Sequence, residues 1–136
     1  MLNPHEPPCA PTGFNVRARL KSFVYAGRGL RWLVWDEHNA WLHFAASVIV
    51  IVLGFTLRIS LEDWRWIVLA MALVWIAEAI NTAIEDLCDH LNPDFDPAIG
   101  RVKDLAAGGV LIASMAAIVI GLLTFGPILL SRIIRE

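Results

Sequence analysis

Apolar residues along this chain gather into three long runs, at about residues 40–57, 64–87 and 105–134, separated by short polar segments. Each run reaches the roughly 17 to 20 helical residues that cross a hydrocarbon core about 30 Å thick. None alternates apolar with polar positions, so none suits a barrel strand. Backbone groups in hydrocarbon must be satisfied within their own segment or in a closed barrel. Three transmembrane helices follow, and the expected fold is all-α and integral to a membrane.

The segment before the first run, residues 14–35, has a different pattern. Phe14, Leu20, Phe23, Val24, Leu30 and Leu33 are interleaved with Arg17, Arg19, Lys21, Arg28 and Arg31. That mixture suits an amphipathic helix lying in the headgroup layer, basic side toward lipid phosphates; a soluble basic arm is the alternative. Trp32, Trp35, Trp41, Trp64 and Trp66 fall near the ends of the runs, where indole favours the interface. Residues 1–13 hold Pro4, Pro7, Pro8 and Pro11 and no apolar stretch, which predicts a disordered tail and not a cleaved export signal. Residues 14–136 then form one membrane-embedded domain.

Composition agrees with this picture. A mean hydropathy of +0.61, with 57% hydrophobic residues among 136, exceeds what a water-soluble core of this size absorbs. The formal charge of −2 gives no global attraction to nucleic acid, so none is expected as a partner. Cys9 and Cys88 stand in unrelated surroundings and read as free thiols. Lys and Arg number seven in the N-terminal arm and the segment after the second run, against Arg58, Arg65, Arg132 and Arg135 on the other side. The positive-inside rule places the arm and that segment in the cytoplasm, where ATP is available.

Candidate chemistry concentrates at the end of the second run. Glu78, Asn81, Thr82 and Glu85 are spaced three, four and seven apart and share one helix face. An ionisable group at membrane depth costs about 2.5 to 3.5 kcal/mol, so such an acid is a functional candidate by default. The plainer use of the stripe is interhelical glue, to which Asn and Thr are suited. A loop with Asp94, Phe95, Asp96 and two prolines follows, then Lys103 and Asp104 where the third helix is expected to begin. Gly108 and Gly109 would permit close approach of a helix or a ligand. Glu37 precedes the first span and returns by topology to the side of Glu85. Two carboxylates from separate elements suit Mg²⁺, which takes one or two of them plus substrate phosphates. His38 and His43 are weaker candidates, more in keeping with interfacial anchors. No Walker A sequence and no kinase glycine loop is present.

The block Glu78-Ala-Ile-Asn81-Thr82-Ala-Ile-Glu85, then Asp89, a proline-and-acid loop, Lys103-Asp104 and Ala106-Ala107-Gly108-Gly109, resembles the signature of the prokaryotic diacylglycerol kinase family, which includes undecaprenol kinases. Ser22 to Leu30 and the segment from Glu37 through Asn39 to His43 resemble it too. The resemblance implies a homotrimer in the bacterial inner membrane that transfers the γ-phosphate of MgATP to a lipid alcohol. By matched positions it implies Glu78 as catalytic base and Glu37 and Glu85 as Mg²⁺ ligands that also bind ATP. Tyr25, Asp94, Phe95, Asp96, Lys103 and Asp104 match nucleotide contacts, and Asn81 a supporting residue. Asn39, His43 and Ala107 match the lipid substrate's surroundings. Where some members carry an ATP-contacting Arg, this chain has Ala18 between Arg17 and Arg19.

Phosphoryl transfer needs alignment and charge neutralisation more than covalent help, so a carboxylate-held metal and Lys103 would suffice without a familiar nucleotide fold. The acceptor is diacylglycerol or undecaprenol, and the Asn-Thr-Ala-Ile-Glu wording leans toward the latter. A small proton-coupled transporter subunit using Glu78 is the alternative from another class, but it leaves Glu37, Glu85 and Lys103 without employment.

Overall fold

The computed structural model describes residues 15–134. The expected tail at residues 1–13, together with Phe14 and Arg135, lies outside the described residues. Four helices account for nearly all of the rest: α1 Val16–Asp36, α2 His38–Leu57, α3 Leu61–Leu91 and α4 Pro97–Ile133. Among the described residues there is no strand. Helices α2, α3 and α4 are each long and apolar enough to cross a membrane, and α1 is the basic helix ahead of them.

The helices outrun the apolar segments that announced them. At 31 and 37 residues, α3 and α4 are about 46 and 55 Å long, against a hydrocarbon layer of about 30 Å. Hydropathy marks only the part that sits in lipid, so the polar continuation of α3 through Asp89 and His90 is helix as well. The start of α4 corrects the expectation for Lys103 and Asp104. They lie in the second turn of α4, not at its beginning. The reason is local: Asp96 caps the helix by accepting a hydrogen bond from the Ala98 N–H at 2.7 Å, and Pro97 occupies the first helical position. A proline there loses no bond and has the right φ already, so it starts this helix and does not interrupt it.

The turn between α2 and α3 fixes how those two helices meet. Arg58 adopts a left-handed conformation, φ 53° and ψ 51°, and its N–H reaches back to the carbonyls of Gly54 and Phe55. Two residues later Ser60 and Asp63 form a reciprocal capping box: the Asp63 N–H donates to Ser60 Oγ at 3.1 Å, and the Ser60 N–H donates to Asp63 Oδ2 at 3.2 Å. Gly54 lies directly under the Trp64 indole, and a Cβ there would stand 2.7 Å from the ring. The absence of a side chain lets α2 and α3 close on each other at this end.

Helix α3 is the spine of the bundle, packing most extensively against α4 and also touching α1 and α2. Its buried residues are Ile67, Ala70, Val74, Glu78, Asn81 and Cys88, spaced by three, four or seven residues down one face. The upper part of that face joins Leu57, Ile59 and Phe125 in an apolar cluster beside the α2–α3 turn. Toward the other end the same face carries the acids. Phe125 meets Ile67 in that cluster while Lys103 pairs with Asp89, so α3 and α4 run antiparallel. Large apolar side chains such as Phe55, Ile112 and Leu123 remain on the outside, as lipid-facing helices require.

Candidate functional site

The central side chain is Glu78, 1% exposed and the largest fully buried side chain of the described residues. It occupies a packing position on α3 that would suit a Leu. The Nε2 of His43, on α2, lies 3.6 Å from Glu78 Oε2. Glu37 and Glu85 are close enough for their charges to act on the Glu78 carboxyl. Three acids from two segments and one histidine thus converge, and Glu37 arrives through the extended break between α1 and α2.

One turn further along α3, Asn81 is 4% exposed and donates through Nδ2 to Glu85 Oε1 at 2.9 Å. Its Oδ1 is buried without a hydrogen-bond partner. The amide therefore fixes one oxygen of Glu85 and leaves its own oxygen as an unused acceptor beside it. Two turns on, Lys103 of α4 forms an ion pair with Asp89 and is near enough to Glu85 to feel its charge. Between α1 and this half of α3 lies a cleft of about 670 Å³, a size usual for small-molecule sites. Glu37, Thr82 and Asp86 line it with Leu30, Trp32, Leu33 and Ala79.

Glu37, Glu78, Glu85, Asn81, His43 and Lys103 are therefore brought to one end of the bundle. Of these six only Glu37 lines the cleft, and the other expected contacts do not line it in the single chain either. Tyr25 is exposed on α1 with the Arg28 guanidinium 5.8 Å from its ring centre. Asp94 and Phe95 are exposed in the loop, Asp96 is engaged as the α4 cap, and Asp104, Asn39 and Ala107 are exposed on their helices. Gly108 and Gly109 face open space. Two features were not foreseen from sequence. Asp86 lines the cleft with Thr82, four residues earlier on the same face, a spacing that could have signalled it. The Asp89–Lys103 pair joins helices whose register no local pattern reveals.

A model of the family described as prokaryotic diacylglycerol kinase matches residues 24–125. The chain is 38% identical over 107 residues to an undecaprenol kinase of Bacillus subtilis, covering 79% of this chain and 87% of the relative. It is 32% identical over 116 residues to a diacylglycerol kinase of Synechocystis, covering 85% and 66% respectively. A diacylglycerol kinase of Escherichia coli K12 is 28% identical over 101 residues, covering 74% of this chain and 82% of that one. With its three apolar spanning helices and a family match that takes in the acidic stripe, Lys103 and Asp104, the chain belongs to the prokaryotic diacylglycerol kinase family and is a multi-pass membrane lipid kinase.

Proposed function

We propose that this lipid kinase transfers the γ-phosphate of ATP, with Mg²⁺, to the hydroxyl of undecaprenol on the cytoplasmic face of a bacterial inner membrane. The observation that carries the reading is the buried Glu78 carboxyl, held at the polar end of the bundle within electrostatic reach of Glu37 and Glu85. The greater identity to the undecaprenol kinase favours that acceptor. Diacylglycerol is the second reading, supported by the relatives that carry that name.

The donors fit a hard divalent cation. Glu37 and Glu85 offer carboxylate oxygens and Asn81 an unpaired amide oxygen. Among the described residues no group of three His, Cys, Asp or Glu side chains forms an all-protein cage. Mg²⁺ needs none, because it is commonly held by one or two carboxylates together with substrate phosphates. Glu37 and Glu85 would hold it, and its charge would offset that of the phosphate oxygens.

The chain's own residues then have separable tasks. Asn81 orients Glu85 through its amide. Lys103, in reach of Glu85, supplies positive charge on the same side, and Asp104, Tyr25 and the loop Asp94, Phe95, Asp96 contact the nucleotide. A homotrimer lets loop and arm residues reach the site of a neighbouring copy, since Tyr25, Asp94 and Phe95 do not line the cleft of their own chain. Asn39, His43 and Ala107 face the lipid headgroup. Glu78 accepts the proton as the lipid O–H bond breaks and the oxygen forms its bond to the γ-phosphorus, with ADP as leaving group. Its burial keeps water from competing with the alcohol.

The test is incubation of purified protein in mixed micelles with labelled ATP, Mg²⁺ and each lipid alcohol separately. Label in undecaprenyl phosphate supports the proposal, and label in phosphatidic acid alone moves the acceptor to diacylglycerol. No label in any lipid from folded protein overturns it. Glu78→Gln is expected to lower kcat by about 100-fold or more, and a preserved rate would remove that residue as the base.

A further inference from the structure

Resting on the proposed phosphoryl transfer, we propose that His43 is the outlet through which the proton collected by Glu78 leaves the site. Each turnover leaves one proton on Glu78, and the carboxylate must be restored before the next. The Glu78 side chain is only 2% exposed, so direct exchange with water is blocked. His43 is the neighbour that can take the proton: its Nε2 is 3.6 Å from Glu78 Oε2, and its own side chain is 15% exposed. Imidazole both gains and loses a proton near neutral pH, which Asn, Ser or Trp cannot do.

The position is held from behind. Ser47 Oγ donates to the His43 carbonyl at 2.7 Å, and Trp75 Nε1 on α3 donates to Ser47 Oγ at 3.1 Å. These two bonds tie the turn bearing His43 to the helix bearing Glu78. The present separation exceeds a hydrogen bond by roughly 0.7 Å, a gap that side-chain rotation closes and that is common before substrate binds. The ionisable groups facing the pair are Glu37, from the break before α2, and Glu85 on α3. Helix α4 contributes none at the groove beside His43, where it presents Ser114, Ala117 and Ile118. That groove, about 360 Å³, leaves room for a small molecule in place of a missing imidazole.

The bookkeeping of bonds is simple. The Glu78 Oε2–H bond breaks as a His43 Nε2–H bond forms, the imidazolium releases its Nδ1 proton to water, and Glu78 is again a carboxylate; exchange with water then moves the remaining ring proton from Nε2 back to Nδ1, so that Nε2 can accept again. His43 acts through Glu78 and is a positioning residue, not a group that touches the transferred phosphate.

The experiment uses the full chain in mixed micelles with MgATP and the alcohol that the parent phosphorylates. His43→Gln keeps polarity but cannot carry the proton. It is expected to lower kcat about tenfold or more while KM for ATP stays within about twofold. His43→Ala should be slow and regain activity with added imidazole. A His43→Gln rate within about twofold of the parent overturns the proposal, as does a slow His43→Ala that imidazole does not restore. Should His43→Gln fail to fold, the imidazole measurement decides alone. An active parent with unaffected His43 variants removes only the outlet, whereas an inactive parent removes the phosphoryl-transfer reading and this proposal with it.

Discussion

Replacing Asn81 by Ala separates two quantities that usually fall together. The substitution removes the 2.9 Å hydrogen bond from Asn81 Nδ2 to Glu85 Oε1. A bond to a charged group contributes about 1.5 to 3 kcal/mol, which is roughly a 10- to 150-fold change in an equilibrium constant. If Glu85 is a metal ligand, that loss appears in metal affinity: the Mg²⁺ concentration for half-maximal transfer should rise by about 10- to 100-fold, as found for other supporting residues of metal sites. Stability should respond far less. The same substitution deletes Oδ1, a buried acceptor with no partner, whose desolvation costs about 1 to 3 kcal/mol. The two effects oppose each other, so the apparent melting temperature in detergent should stay within about 4 °C of the parent. The assay is a Mg²⁺ titration of lipid phosphorylation alongside a thermal melt on the same preparation. An unchanged Mg²⁺ requirement would refute the coupling of Asn81 to Glu85, and a collapse in melting temperature would show that the amide is structural cement.

Three further outcomes follow from the described contacts. Gly54→Ala forces the Trp64 ring away from a Cβ 2.7 Å distant and should destabilise by about 1 to 3 kcal/mol, read as a lower melting temperature; an unchanged melt would mean that the α2–α3 turn yields freely. Ser60→Ala removes the side-chain half of the capping box, the Oγ that accepts from the Asp63 N–H, and should cost about 1 kcal/mol with KM for ATP unaltered, because the turn lies at the opposite end from the acids. Lys103→Met removes a partly exposed ion pair with Asp89, so its melt should match the parent while KM for ATP rises about tenfold; an unaltered KM would exclude Lys103 from nucleotide binding.

The polar stripe of α3 was legible because it depends on spacing within one helix: Glu78, Asn81 and Glu85 share a face whatever the surroundings. The three spans were legible because length and hydropathy suffice to mark them. The start of α4 was not, since prolines between two apolar runs read as loop until Asp96 is seen capping the helix at the Ala98 N–H with Pro97 in its first position. The meeting of His43 with Glu78 depends on the register between α2 and α3. The Arg58 conformation and the Gly54–Trp64 contact set that register, and neither leaves a periodic trace. The Asp89–Lys103 pair was hidden for the same reason, as it spans a loop whose path the sequence does not dictate.

The face of α3 that closes on its neighbours changes character partway down, from Ile67, Ala70 and Val74 to Glu78 and Asn81. One end of the molecule is thereby clasped by greasy contacts and a tight corner, and the other is left to carry charge. Such a division resembles forceps joined at the base. A change at the joined base should therefore be read in stability, and a change at the tips in turnover.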